Sequence, residues 1–263
     1  MTNKEWKDSP MKVARYRYES VVRYGVVDVA SRQMRAIEGD PFGEHTVTDS
    51  VAPLDQVTLL VPVEPSKIVG FGRNFAPANR ADGEEPSFFF KPATSLAADG
   101  DTIRIPREVR GGALYEVELA VVIGRTCRDV AAADYAQVVY GYTIANDITG
   151  LDLAGLPAGH YPVKAKSYDT FCPLGPWIET DLDPLDARLG CSIDGVPRQE
   201  ATTAGLLTSV PELVRIASYV MTLLPGDVIL TGTPPGHAAL TGGERVDAWI
   251  EGIGHLRSDV VAA

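Results

Sequence analysis

Short runs of β-branched and aromatic residues, each ended by glycine or proline, recur along most of this 263-residue sequence. Such residues favour the pleated backbone, and the breakers between them limit the length of each strand. Asp194-Gly195, between two further apolar runs, is typical of a two-residue hairpin turn. The pattern therefore predicts a mainly β fold of the α+β class, with helices at 131–139 and 211–223. Strands are predicted at 67–71, 87–90, 102–105, 116–123, 142–147, 177–179, 227–231 and 246–250.

The domain organisation is indicated by a change near residues 53–66, where Pro53, Pro62 and Pro65 interrupt the chain. Before this stretch the sequence reads as a few short alternating strands, too few to form a large core. We therefore predict a small N-terminal β domain over residues 1–60 and a larger catalytic domain over residues 61–263.

Charge and cysteine content restrict the partners and the compartment. Asp and Glu number 35 against 24 Lys and Arg, and the formal net charge of -11 repels nucleic-acid phosphates and anionic lipid surfaces. Cys127, Cys172 and Cys191 lie far apart without metal-type spacing, which favours a reducing compartment. No run reaches the ~20 apolar residues of a membrane span, and the polar start has no signal-peptide core. We expect a cytoplasmic protein that binds neither nucleic acid nor membranes.

Two glutamates lie in one of the most apolar predicted strands. Because alternate residues of a strand share a face, Glu116 and Glu118 point the same way, as do Ala120 and Val122 after them. Two like charges in a low-dielectric site are unfavourable unless one is protonated or a cation lies between them, and Mg²⁺ prefers such oxygen ligands. The alternative is a solvent-exposed strand edge, where charged residues are common.

A third carboxylate, Asp147, ends the predicted strand 142–147 and could complete a three-carboxylate set. Asp and Asn at strand ends are also frequent turn residues, so this position alone does not distinguish a ligand from a turn.

Taken together, these motifs resemble the fumarylacetoacetate hydrolase family from about residue 67 to residue 260. The matching blocks occur in the family's order: Gly72-Arg73-Asn74-Phe75, Phe89-Phe90-Lys91-Pro92, residues 115–124, residues 141–147, residues 165–171, residues 224–229 and Thr231-Gly232-Thr233-Pro234. The resemblance implies a mixed β-sandwich roll, usually as a homodimer.

The resemblance also implies a site. Mg²⁺ or Mn²⁺ would be held by Glu116, Glu118 and Asp147, and would stabilise the enolate of a small 2-oxo or β-dicarbonyl acid. Lys166 would bind substrate oxygens and add positive charge near the developing enolate. Further substrate contacts would come from Arg73, Thr231 and Thr233. Without the family, Lys166 would be interpreted as a surface lysine and the two threonines as turn residues.

The sequence departs from the family around the expected pocket. Ala78 and Ala81 stand where hydrolases and decarboxylases of the family carry a His and a Glu that act on water. Leu151 and Ala154 replace the family's substrate-binding Arg and Gln, which indicates a less polar substrate.

Two histidines are candidates for the missing acid or base, His160 and His237, since histidine changes charge near neutral pH; solvated surface positions are the alternative. Decarboxylation and keto–enol isomerisation need no activated water, so the losses favour a Mg²⁺-dependent decarboxylase or isomerase. The alternatives are a carbon–carbon hydrolase with a replacement base and a non-catalytic metal- or ligand-binding protein.

Overall fold

The computed structural model describes residues 10–77, 80–81, 83–153 and 162–263. They form a mainly β structure, which confirms the predicted fold class. Twenty strands are described. The first ten are β1 (Lys12–Tyr18), β2 (Val21–Asp28), β3 (Gln33–Gly39), β4 (His45–Pro53), β5 (Thr58–Leu60), β6 (Ile68–Gly72), β7 (Ser87–Lys91), β8 (Leu96–Ala97), β9 (Ile103–Ile105) and β10 (Ala113–Leu114).

The remaining strands follow in chain order. They are β11 (Val117–Ile123), β12 (Val139–Asn146), β13 (Thr149–Gly150), β14 (Cys172–Glu179), β15 (Arg188–Ile193), β16 (Val196–Thr202), β17 (Val228–Leu230), β18 (Ala239–Leu240), β19 (Arg245–Ile250) and β20 (Gly254–Ala262). The helices are α1 (Pro162–Ala165) and α2 (Val210–Val220), with short 3₁₀ segments at Ala93–Ser95, Ala132–Gln137 and Thr203–Gly205. Among the described residues, no helix is both long and apolar enough to cross a membrane.

Most strands belong to one large sheet. Its order is β4-β3-β2-β1-β14-β12-β11-β17-β6-β7, with β5 paired to β1 and β8 to β14. A second sheet has the order β16-β15-β19-β20-β9, and a small third one has β13-β10-β18. The N-terminal strands are continuous with the large sheet, since β1 pairs with β14 through Lys12 and Val13. The division at residue 60 stays a prediction.

The centre of the large sheet is buried on both faces. Every residue of β11 and β12 is buried, so their side chains contribute to the core on both sides. Such strands read as continuous apolar runs, which explains why residues 117–123 lack the alternation of a half-exposed strand. Any carboxylate carried by these strands is therefore placed in the interior.

Local predictions fared differently. The hairpin at Asp194-Gly195 is confirmed: both residues have positive φ, 52° and 77°, and the turn joins β15 to β16. The helix predicted at 211–223 is α2. The one predicted at 131–139 is wrong, because a six-residue 3₁₀ segment with no buried side chain stands there. Without an apolar face to bury, a longer α-helix has no packing to stabilise it.

Candidate metal centre and active site

The three predicted carboxylates lie together. One oxygen from each of Glu116, Glu118 and Asp147 falls within 4.8 Å of the others. The pairing of β11 with β12 causes this, because Val117 lies opposite Asn146 and brings the residues beside them together. The Asp147 amide donates to the Glu116 carbonyl at 2.8 Å, and the Glu116 amide donates to Oδ1 of Asn146 at 2.8 Å. The end of the β11–β12 pair is thus fixed by the backbone.

Burial excludes a simple polar edge. Glu118 is 2% exposed and Asp147 is 0% exposed, so neither carboxylate belongs to a solvated strand end. Buried carboxylates need hydrogen bonds or cations to compensate their desolvation. The partners of each group therefore determine what the cluster can bind.

Lys166, just after α1, is the first of these partners. Its Nζ donates to Glu116 Oε2 at 2.9 Å, to Asp147 Oδ2, and to Thr149 Oγ1 at 2.7 Å. The ammonium also lies 4.6 Å from the ring centroid of Phe89, a cation–π contact. Burial lowers the pKa of Lys166, but the two carboxylates outweigh burial and raise it above its ordinary value. The predicted catalytic lysine is therefore a charged member of the cluster.

Lys91 is the second cationic partner and lies deeper. Its Nζ donates to Asp147 Oδ1 at 2.5 Å and to the Ile148 carbonyl at 3.0 Å, and its side chain is fully enclosed. Burial raises the pKa of the Asp147 carboxyl, but Lys166 and Lys91 more than offset this and hold that pKa below its usual value. Asp147 is thus ionised between two ammonium groups.

Glu118 has neither lysine as a hydrogen-bond partner. Its Oε2 accepts from the Gly232 amide at 2.7 Å. Burial, and then the charges of Asp147 and Glu116, raise the pKa of Glu118 well above its ordinary value. Two ammonium groups face three carboxylates, and the donor set is all oxygen. A hard divalent cation fits this set, because it would supply the positive charge that Glu118 lacks.

The predicted substrate threonines bond to β11. Thr231 Oγ1 donates to the Leu119 carbonyl and Thr233 Oγ1 to the Val117 carbonyl, both at 2.9 Å. Gln199 completes this connection: its Nε2 donates to Thr233 Oγ1 at 2.9 Å, and its Oε1 accepts from the Val117 amide at 3.2 Å. These side chains fasten the turn after β17 to the strand that carries Glu118.

Two of the remaining predicted residues, Arg73 and His237, are among the residues that the structure describes. Arg73 has a side chain 51% exposed, which donates to Glu84 at 2.9 Å and to Ser87 at 3.1 Å. His237 is exposed, two residues beyond Pro235 in the turn that follows Thr233. His160 lies outside the described residues, as do Ala78 and Ala154. Roles for these residues stay predictions.

Sequence reasoning missed three contributors to the site. Lys91, Thr149 and the Gly232 amide each hold a member of the cluster. Lys91 shares the buried face of β7 with Phe89, but lysines are almost never fully buried, so its residue type alone predicts a surface position. A backbone amide leaves no trace in the sequence.

Comparisons with known proteins agree with the geometry. A family model described as fumarylacetoacetate (FAA) hydrolase C-terminal matches residues 64–261, and one described as Rv2993c-like, N-terminal matches residues 11–62. Oxaloacetate tautomerase FAHD2A of Bos taurus is 36% identical over 226 residues, which cover 80% of this chain and 72% of the relative.

Two solved structures are similar over nearly all of the chain. The 5-carboxymethyl-2-hydroxymuconate delta-isomerase of Mycobacterium smegmatis has 40% identity and a TM-score of 0.90, covering 96% of this chain and 100% of its own. The maleylpyruvate hydrolase of Sphingobium sp. SYK-6, solved with manganese(II) and pyruvate, has 31% identity and a TM-score of 0.79, with the same coverage of each chain.

Proposed function

The chain belongs to the fumarylacetoacetate hydrolase family, and from that membership we propose that it is a divalent-cation-dependent isomerase or tautomerase of a small 2-oxo acid. The observation that carries the proposal is the ammonium of Lys166, which is hydrogen-bonded to Glu116 and Asp147, two of the three converging carboxylates. Relatives named as a tautomerase and an isomerase support this class of reaction.

Glu116, Glu118 and Asp147 would hold the cation, Mg²⁺ or Mn²⁺. When bound, it would act as a Lewis acid on substrate oxygens, and so favour loss of a proton from the neighbouring carbon. The fit rests on the all-oxygen donor set and on the charge that Glu118 lacks. A structural neighbour solved with manganese(II) supports the choice of ion.

Lys166 would donate its proton to the substrate oxygen, and the neutral amine so formed would accept the proton that leaves the neighbouring carbon, so that the lysine ends protonated. It is preferred over Lys91 because its side chain is 12% exposed, whereas that of Lys91 is 0% exposed and cannot meet a substrate without leaving the core. The ring of Phe89 covers one side of the ammonium and limits its contact with water. Thr149, which accepts a hydrogen bond from Lys166, orients it toward the carboxylates.

The groups around the carboxylate cluster favour isomerisation over hydrolysis, because they do not include a histidine base among the described residues. Hydrolysis requires a base that activates water, whereas a tautomer shift requires only proton removal and return. Within the described part of the chain, no histidine hydrogen-bonds to the three carboxylates or to Lys166. A hydrolase is the second candidate, because a maleylpyruvate hydrolase is among the structural neighbours.

The test uses purified protein freed of metal and then given Mg²⁺ or Mn²⁺. Oxaloacetate tautomerisation, carbon dioxide release and acylpyruvate cleavage are measured for the wild type and for Glu116→Ala, against metal without protein. Metal-dependent tautomerisation that Glu116→Ala abolishes supports the proposal. Carbon dioxide release would identify a decarboxylase and acylpyruvate cleavage a hydrolase, and tautomerisation at the protein-free rate would reject the proposal.

A further inference from the structure

We propose that Lys91 sets the cation preference of this site, by occupying one oxygen of Asp147 so that a metal binds mainly through the other. The consequence is a preference for small octahedral cations such as Mg²⁺ over Ca²⁺. The inference rests on the proposed cation dependence, and it concerns which ion the residues accept.

The two oxygens of Asp147 have different partners. Oδ1 accepts from Lys91 at 2.5 Å, and Oδ2 accepts from Lys166. Lys166 is partly exposed and follows a four-residue helix, so it can give up Oδ2 to a cation. Lys91 is enclosed on all sides, with its side chain 0% exposed.

The buried surroundings of Lys91 offer its ammonium no alternative to Oδ1 of Asp147 and the Ile148 carbonyl among the described residues. Lys91 lies at the end of β7 opposite Ile68 of β6, and its second hydrogen bond goes to the Ile148 carbonyl at 3.0 Å. Withdrawing the ammonium from Oδ1 would leave a buried charge and a buried carboxylate each short of a partner, which is strongly unfavourable. We therefore expect Oδ1 to stay paired with Lys91 when a cation binds.

A carboxylate oxygen that already accepts from an ammonium is a weaker metal ligand, so Asp147 would bind a cation mainly through Oδ2. Mg²⁺ requires near-octahedral geometry with short bonds and suits single-oxygen carboxylates, whereas Ca²⁺ takes six to eight oxygens and gains from two-oxygen carboxylates. Freeing Oδ1 would therefore help Ca²⁺ more than Mg²⁺. Since the two ions carry the same charge, removing the ammonium charge affects both alike, and their affinity ratio isolates the geometric effect.

The experiment measures Mg²⁺ and Ca²⁺ binding to metal-free protein by titration calorimetry. Lys91→Met is compared with the wild type and with Lys67→Met. The second variant is a matched control, because it removes the lysine that pairs with another buried aspartate, Asp227. We expect the Kd ratio of Ca²⁺ to Mg²⁺ to fall by about tenfold in Lys91→Met, the scale on which groups that orient metal ligands act. The ratio should not change in Lys67→Met.

Each outcome is decisive. An unchanged ratio in Lys91→Met, with Mg²⁺ binding retained, would overturn the inference and leave the proposed function standing. A wild type that binds neither ion would overturn both. If Lys91→Met does not fold, Lys91→Leu, which also leaves Oδ1 of Asp147 without this donor, is measured in the same way. A purely structural role for Lys91 would lower thermal stability without changing the ratio.

Discussion

The ammonium of Lys166 lies 2.9 Å from Oε2 of Glu116. A metal held by the three carboxylates would occupy the same region. Lys166 offsets part of the negative charge of the cluster and lies on its solvent-accessible side. In contrast, Lys91 lies on its closed side, where it donates to Asp147 and to the Ile148 carbonyl. The two lysines therefore differ in what they can do, although both contact Asp147.

Replacing Lys166 with Met should separate turnover from metal binding. We expect kcat for tautomerisation to fall by about 10²- to 10⁴-fold, the usual contribution of a positioned acid or base. Mg²⁺ affinity should not weaken, because the ammonium competes for the same carboxylate oxygens. Steady-state kinetics and titration calorimetry on the same preparation measure the two effects.

Lys164→Met is the control for this variant. Lys164 is two residues away, has a side chain 45% exposed, and pairs with Glu108 instead of the cluster. Its substitution should leave kcat within about twofold. A Lys166→Met protein with wild-type kcat would remove Lys166 from the mechanism.

Strands and the residues that alternate along them can be predicted from the sequence more fully than contacts between distant segments. Strand alternation predicts that Glu116 and Glu118 share a face, whereas their grouping with Asp147 as a metal site was implied by the resemblance to the family. Strand β14 was predicted only at 177–179, because Pro173, Gly175 and Pro176 read as breakers, yet the strand runs from Cys172 to Glu179. Pairing with β12 and β1 overrides that local preference.

The supporting contacts of the site were less predictable. Gln199 lies 82 residues from Val117 along the chain, and only the folded arrangement of β16 beside the turn after β17 brings its amide to that strand. Homodimer formation and a cytoplasmic location stay predictions, because they depend on surfaces and surroundings beyond a single chain.

Asp227 should be one of the most important polar residues for stability. It is 1% exposed, and its carboxylate accepts from the amides of Ser66, Lys67 and Leu224 as well as from the side chains of Ser66 and Lys67. Asp227→Ala would leave these donors without an acceptor, so we expect a loss of roughly 3–5 kcal/mol in the free energy of unfolding. Urea denaturation measures it.

An exposed aspartate provides the comparison. Asp259 has a side chain 70% exposed and lies 4.0 Å from Arg245, so Asp259→Ala should change stability by no more than about 0.5 kcal/mol. Equal effects of the two substitutions would contradict the role assigned to Asp227.

The cysteines should be protected in the folded protein. Burial raises the pKa of Cys172 and of Cys191 to about 12, and that of Cys127 less strongly. The thiolate is the reactive form, so at pH 8 a thiol reagent should label at most Cys127, and all three cysteines after denaturation. Rapid labelling of Cys172 at pH 8 would contradict this burial.

The same shifts predict how stability changes with pH. A thiol whose pKa is higher in the folded than in the unfolded chain favours folding fully below the unfolded pKa, about 8.5. Above that pH the unfolded chain releases protons that the folded chain retains, so the free energy of unfolding should fall as the pH rises from about 9 toward 12. Urea titrations at several pH values check the sign, with Cys172→Ala and Cys191→Ala expected to reduce the slope.

Thr231 distinguishes a substrate contact from a structural one. The resemblance to the family implies that Thr231 contacts substrate, whereas the residue is 1% exposed and its hydroxyl donates to the Leu119 carbonyl. Thr231→Val keeps the shape and removes that hydrogen bond, so we expect a loss of about 1 kcal/mol in stability with KM unchanged within about twofold. Urea denaturation and steady-state kinetics test both parts. Unchanged stability with a tenfold higher KM would instead place the hydroxyl on the substrate, and the turn after β17 would then have to open when substrate binds.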